Sequence, residues 1–192
     1  MYSQKWWKKI VPLMKREDIK KLNMGCGIRD IPGCTTLDFN PVYNPDVVHD
    51  LNSFPYPFED NSFDFVFCSQ VLEHLNDTIQ VLEEIARITK DGGYVYLGVP
   101  HYSSRIAYAD PTHVRHFAAT TFSHYLPEGC YMSLENLKME IVDMRITFSK
   151  LYWPFLIPLL ANAMPRFYED HLAGIFPAKF IDVLLRVRKS DS

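Results

Sequence analysis

One stretch, Lys20–Asp50 (KKLNMGCGIRDIPGCTTLDFNPVYNPDVVHD), constrains the fold more than any other. Ile19–Met24, Cys34–Phe39 and Val47–Leu51 are short apolar runs that read as three strands. Each delivers one group at its end: the turn Asn23-Met24-Gly25-Cys26-Gly27, then Asp38, then Asp50. Glycines directly after a strand let the backbone approach a ligand closely. A carboxylate at the next strand end accepts hydrogen bonds from a ribose diol, as in open nucleotide-binding sheets. The pattern predicts a site for a nucleoside-bearing cofactor.

Phe63–Ser69 (FDFVFCS) is an almost continuous apolar run and suits a strand buried on both faces. Asn52–Asn61 is acidic and Pro-rich and reads as a loop. Asn76–Lys90 is the clearest helix, with Asn76 or Asp77 as cap, Gln80 completing a capping box, and Ile79, Leu82, Ile85, Ala86 and Thr89 on one face. Asp91-Gly92-Gly93 is expected to end it, and Tyr94–Val99 reads as a further buried strand. Strand, helix and strand in this order imply parallel pairing through a right-handed crossover. Leu137–Phe148 is strand-like with a phase change between Ile141 and Val142, which predicts a bulge. In Phe180–Arg188, Ile181, Val183, Leu185 and Val187 face one way and Asp182, Arg186 and Arg188 the other. These last two strands are expected to pair antiparallel at the sheet edge.

The fold class that follows is α/β, a Rossmann-like open, mostly parallel sheet with an antiparallel edge strand. The first crossover helix is expected to be short or missing. Only ten residues lie between Gly27 and Asp38, with Ile31-Pro32-Gly33 among them. A whole crossover needs at least about 10–12 residues, and Pro and Gly break helices.

With 192 residues and 47% hydrophobic content, one domain with a sizeable core is expected over residues 1–192. It divides into an N-terminal helix (1–18), a cofactor-binding core (19–100) and acceptor-side or lid segments (101–136 and 151–177). A net charge of −3 supplies no basic field for nucleic acid. The cysteines, Cys26, Cys34, Cys68 and Cys130, show no C-x-x-C spacing, and no secretory or transmembrane segment is read. A cytoplasmic protein with free thiols is expected. Trp6-Trp7-Lys8-Lys9 opens an amphipathic segment that reads as a packing or lid helix, with weak contact at a membrane surface as the sharper reading.

The turn Gly25-Cys26-Gly27-Ile28-Arg29-Asp30 lacks the third glycine of a dinucleotide fingerprint, and there is no phosphate-binding loop pattern. The ligand required is a nucleoside with a small, uncharged or zwitterionic tail. Asn23–Gly27, Asp38, Asp50-Leu51, Pro57–Asp64 and Gln70-Val71-Leu72-Glu73-His74-Leu75, in that order, resemble the class I S-adenosylmethionine-dependent methyltransferases, closest to the type 11 subgroup. The resemblance covers Lys20 to about Pro100 and the two closing strands. It implies S-adenosylmethionine as cofactor. The backbone of Gly25, Cys26 and Gly27 would pass under its methionyl part, and Asp38 would accept from the ribose hydroxyls. Asp50 and the Leu51 backbone would meet the adenine, and Ser69 and Gln70 the methionine moiety. Asn23 stands where the family usually has an acidic residue. Arg29, where a glycine is common, is expected to cover the cofactor carboxylate. Alternatives for Asp38 and Asp50 are an Asx turn and a turn cap. Glu73-His74 reads as a solvated loop-to-helix junction, and Cys26 as a packed small side chain rather than a nucleophile.

The sulfonium activates the methyl group, so an enzyme of this kind must chiefly align an acceptor and exclude water. Tyr108–Phe117 (YADPTHVRHF) follows the fifth expected strand, on the ligand side of an open sheet. His113 and His116 are candidate bases. Tyr102, Asp110 and Arg115 are candidate contacts to a small-molecule acceptor, Arg115 to an anionic one. Asp110, His113, His116 and His101 are metal-ligand types, but no zinc-ligand spacing is matched, so no metal is expected. Aromatics in 151–177 are expected to pack on the sheet, some roofing the acceptor. The expected function is a methyltransferase acting on a small molecule. The alternatives are a non-catalytic S-adenosylmethionine-binding scaffold and a nucleotide-dependent dehydrogenase.

Overall fold

The computed structural model describes residues 4–29, 31–125 and 139–189. In chain order the elements are α1 (Gln4–Lys15), β1 (Lys21–Met24), β2 (Cys34–Asp38), β3 (Val47–Val48), β4 (Phe63–Ser69), α2 (Thr78–Ile88) and β5 (Thr89–Pro100). They continue with α3 (Arg105–Ala109), α4 (Ala119–Tyr125), β6 (Met139–Ile146), α5 (Ile157–Ala163), α6 (Pro165–His171) and β7 (Phe180–Val187). The strands form one seven-stranded sheet in the order β3-β2-β1-β4-β5-β7-β6. Pairs from β3 through β5 are parallel, and β7 runs antiparallel to both β5 and β6. The reversed strand therefore lies one in from the edge, and β6 at the edge points the same way as β1–β5. No helix among the described residues is long and apolar enough to cross a membrane.

No helix joins β1 to β2 among the described residues of 25–33, as the Pro-Gly pair and the short count require. Backbone bonds replace it. Gly25 and Cys26 amides both donate to the Leu37 carbonyl, at 2.8 and 3.1 Å, and Arg29 closes back on Cys26 at 2.8 Å. Asn23 Nδ2 donates to the Arg29 carbonyl at 2.9 Å. Ile31 then inserts into a small apolar cluster with Ile10 of α1 and Phe65, Phe67, Tyr96 and Leu184 on one face of the sheet. This accounts for the apolar side of α1 at Ile10, Leu13 and Met14. The Lys21 ammonium caps the end of α1, donating to Met14 and Arg16 carbonyls at 2.8 Å each. The side chains of Trp6 and Trp7 lie outside the described residues.

The larger core fills the other face, where α2, α4, α5 and α6 pack on the sheet. Asp77 caps α2 through Gln80 N at 3.0 Å. The helix is shorter than expected and its buried face is rotated toward Val81 and Ile88. Asp91-Gly92-Gly93 does not stop it. β5 starts already at Thr89, opposite Phe63, and Gly92 (φ +73°) takes up a register shift inside the strand. The expected bulge in β6 is present between Ile141 and Asp143. β3 is only two residues long, because the chain turns at Asp50 rather than continuing to Leu51.

Candidate functional site

The strand order reverses direction at β1, which has β2 on one side and β4 on the other. Ligands of open α/β sheets sit at such a switch point, beyond the carboxyl ends of the strands. A cavity of about 700 Å³ opens there, lined by the turn after β1, the end of β2, the chain after β3 and the chain after β4. That volume is of the size that takes a cofactor-sized molecule.

The glycine turn is built by two different demands. Gly25 has φ +64°, and a Cβ there would come within 2.3 Å of Val71 Cγ2, so packing against the β4 side excludes any side chain. Gly27 has φ +50° and no atom within 4 Å of a Cβ position, so it offers bare backbone to the cavity. Its amide donates to Asp38 Oδ2 at 2.8 Å, and Asn40 N donates to Oδ1 at 2.9 Å. The Asx turn is real, and it holds a cavity-lining carboxylate in place with lone pairs to spare. Asp50 is fixed in the same way by the Asn52 amide at 2.9 Å. Leu51 and the exposed rings of Phe39 and Tyr43 add apolar wall. Gln70, at φ +60°, is pinned by its amide and its side chain to the Gly98 carbonyl, at 2.7 and 3.2 Å. A glycine bed facing two oriented carboxylates and an apolar wall fits a nucleoside-bearing cofactor.

Of the expected cofactor contacts, Gly25, Gly27, Asp38, Asp50, Leu51 and Gln70 line this cavity. The structure does not bring the others to it. Asn23 spends its amide on closing the turn. Cys26 is buried, and burial pushes its thiol up, which suits packing rather than nucleophilic chemistry. Ser69 lies beside Gly98, within the sheet. Arg29 is exposed, with its guanidinium 5.5 Å over the Phe67 ring, on the α1 side of the sheet.

The acceptor-side candidates also separate. His113 meets His74, ring centroids 4.7 Å apart. His116 stacks on Tyr108 at 4.4 Å and is exposed. Arg115 donates to the Asn76 carbonyl. Asp110 accepts from the Thr112 amide and hydroxyl, at 2.9 and 2.6 Å, which hold its carboxyl below the usual range. Tyr102 donates to the Glu169 carbonyl at 2.8 Å. His101 is fully buried between Ser103 and Glu169, tying the chain after β5 to α6. No aromatic of 151–177 is among the cavity-lining residues.

Glu73 and His74 do not form a solvated junction. Glu73 is 1% exposed, and neither carboxylate oxygen has a partner among the described residues. Burial pushes its carboxyl up to about 7, and burial together with His113 lowers the basicity of His74. His74 and Thr112 line the cavity. The signal in the sequence was the apolar run Val71-Leu72, which continues into a short 3-10 turn and carries Glu73 inward.

Residues 37–97 match the model of a methyltransferase domain. An uncharacterized methyltransferase of Schizosaccharomyces pombe is 52% identical over 42 residues, 22% of this chain and 15% of that protein. Phosphoethanolamine N-methyltransferase 2 of Caenorhabditis elegans is 32% identical over 114 residues, 59% of this chain and 22% of that protein. The chain thus spans less than a quarter of the length of these two relatives. A crystal structure of an S-adenosylmethionine-dependent methyltransferase from Archaeoglobus fulgidus superposes with a TM-score of 0.64 at 16% identity, over 95% of this chain and 91% of that one. That superposition carries the fold, and the matched segment runs from the Asp38 end of β2 through β5, which supplies the cavity lining from Asp38 to Leu75 but not the glycine turn or Thr112. Over residues 37–97 the chain is similar to a methyltransferase domain, and its fold is shared with the S-adenosylmethionine-dependent methyltransferase of Archaeoglobus fulgidus.

Proposed function

We propose that this chain binds S-adenosylmethionine in the switch-point cavity and methylates a small-molecule acceptor. The observation that carries the reading is the pairing of Gly27 and Asp38, a bare backbone turn whose amide orients a carboxylate toward the cavity. Bound there, the cofactor supplies a methyl group already activated by its sulfonium.

The chain's own part is to hold, orient and exclude water. Asp38 would accept the ribose hydroxyls, which it can do without moving because two amides already fix it. Asp50 and Leu51, with Phe39, would hold the base between polar edge and apolar faces. Gln70, locked on Gly98, would fix the chain beside the methionine moiety. The acceptor would enter over His74 and Thr112, at the end of the cavity away from Asp38. Of the two candidate histidines, His113 is the one that reaches the cavity wall through its contact with His74, which supports a role for it there over His116. A small acceptor is favoured by the similarity to a phosphoethanolamine N-methyltransferase. A cytoplasmic setting is inferred from the free thiols Cys26 and Cys68.

Calorimetric titration with S-adenosylmethionine, S-adenosylhomocysteine and NAD, followed by transfer of labelled methyl to a fractionated metabolite extract, tests this reading. Binding of the first two and a labelled product are expected. Binding of NAD alone would overturn the cofactor, and cofactor binding with no labelled product would make the chain a scaffold.

A further inference from the structure

We propose that Glu73, His74 and His113 hold a divalent transition cation at the acceptor end of the cavity. One carboxylate oxygen of Glu73 and one ring nitrogen from each histidine lie within 4.8 Å of one another. A cation seated among them needs each ligand to close in by under roughly 1 Å to reach the ~2.0–2.2 Å of zinc–nitrogen and zinc–oxygen bonds. Two imidazoles and one carboxylate are a donor set suited to zinc, cobalt or iron, and leave coordination positions open.

Three further observations point at an ion. Glu73 is buried with both oxygens unpartnered among the described residues, an arrangement that is costly unless a cation or donor completes it. Both histidines are held in the tautomer a metal needs. His113 Nδ1 lies 3.1 Å from the Ala107 carbonyl, which can only accept, so Nδ1 carries the proton. His74 Nδ1 lies 2.9 Å from Thr112 Oγ1, whose own proton goes to Asp110 at 2.6 Å, so this Nδ1 is a donor too. Each ring is left with its lone pair on Nε2, and each has the outer hydrogen bond that orients metal-ligating histidines. The site is also tied together in the backbone. Val114 and Arg115 amides both donate to the Glu73 carbonyl, at 2.8 and 3.1 Å, so the His113 loop is fastened to the turn that carries the other two ligands.

His113 then acts as a ligand instead of a free base. An ion beside the cavity wall of His74 would polarise an oxygen of the acceptor and ease loss of its proton to solvent. That consequence rests on the proposed methyl transfer; binding of the ion does not.

The chelator-treated chain is titrated with Zn²⁺ by calorimetry and with Co²⁺ by visible absorption. One equivalent is expected to bind in the micromolar range or tighter. His74→Ala, His113→Ala and the near-isosteric Glu73→Gln are each expected to weaken binding at least about tenfold, and Thr112→Val by about 10–100-fold through the lost outer hydrogen bond. Circular dichroism on the same samples reports folding, and S-adenosylhomocysteine binding is measured beside it. Absence of saturable Zn²⁺ binding, or binding unaffected by the three ligand substitutions in folded protein, would overturn the proposal. S-adenosylhomocysteine binding without cation binding rejects the metal site alone. Cation binding without it rejects the cofactor reading and leaves the metal site standing.

Discussion

The Gly27 amide donates to Asp38 Oδ2 at 2.8 Å, so the last residue of β2 holds the turn that follows β1. In a longer crossover a helix would separate these two groups. Among the described residues no such helix is present, and the carboxylate orders the turn directly. Cofactor binding and local fold are therefore joined at one side chain.

Asp38→Ala is expected to weaken S-adenosylhomocysteine binding by roughly 1–3 kcal/mol, about 5- to 160-fold in Kd. Titration calorimetry reads this. Because Gly27 and Asn40 amides also lose their acceptor, the thermal midpoint should fall as well. Unchanged affinity in folded protein would remove Asp38 from the site.

The two glycines of the turn should respond differently to the same substitution. Gly25→Ala places a methyl group 2.3 Å from Val71 Cγ2 in a left-handed conformation, costing about 1–2 kcal/mol for the backbone and about 1–3 more for the overlap. Adding Val71→Ala should relieve only the overlap. Gly27→Ala meets no protein atom and should cost only the backbone share, yet its methyl group points toward the cavity and should weaken S-adenosylhomocysteine binding. Urea denaturation and calorimetry on the three variants separate these effects.

The sequence revealed those features that depend on neighbours along the chain. Phe63–Ser69 is a strand because both its faces are apolar, and α2 starts where Asp77 can cap it. Counting the residues between Gly27 and Asp38 was enough to exclude the crossover helix. The parts that were not legible depend on contacts between distant segments. Glu73 is buried by the loop at 110–115, whose amides bind its carbonyl. His113 and His116 differ because that loop turns one ring toward His74 and the other toward Tyr108. Arg29 departs from the family-based expectation for a similar reason: with Ile31 anchored in the α1-side cluster, the turn carries the guanidinium over Phe67.

Arg29→Ala should accordingly leave S-adenosylhomocysteine affinity within about twofold, since an exposed cation–π contact is worth only ~0.5–1 kcal/mol and lies outside the cavity. The same calorimetric titration decides it. A loss of tenfold or more would return Arg29 to the cofactor carboxylate.

Asp182 supplies a pH-dependent contribution to stability that is independent of the site. It lies on β7 opposite Gly98 of β5 and Arg145 of β6, and Tyr96 donates to its Oδ1 at 2.7 Å. Its Oδ2 is buried without a partner among the described residues, and burial pushes the carboxyl from 3.8 up to about 6. Between these values the folded protein holds a proton that the unfolded chain releases. Stability from this group is therefore full below about pH 4 and is lost as pH rises through about 6. Asp182→Asn keeps an acceptor for Tyr96 and removes the ionisation. The variant should exceed the parent by on the order of 2–3 kcal/mol at pH 7, with the gap closing as pH falls toward 4. Urea denaturation of both proteins across this range measures the difference, in which every other titrating group common to the two cancels. A gap that stays constant with pH would show that Asp182 ionises in the folded protein as it does in the unfolded chain.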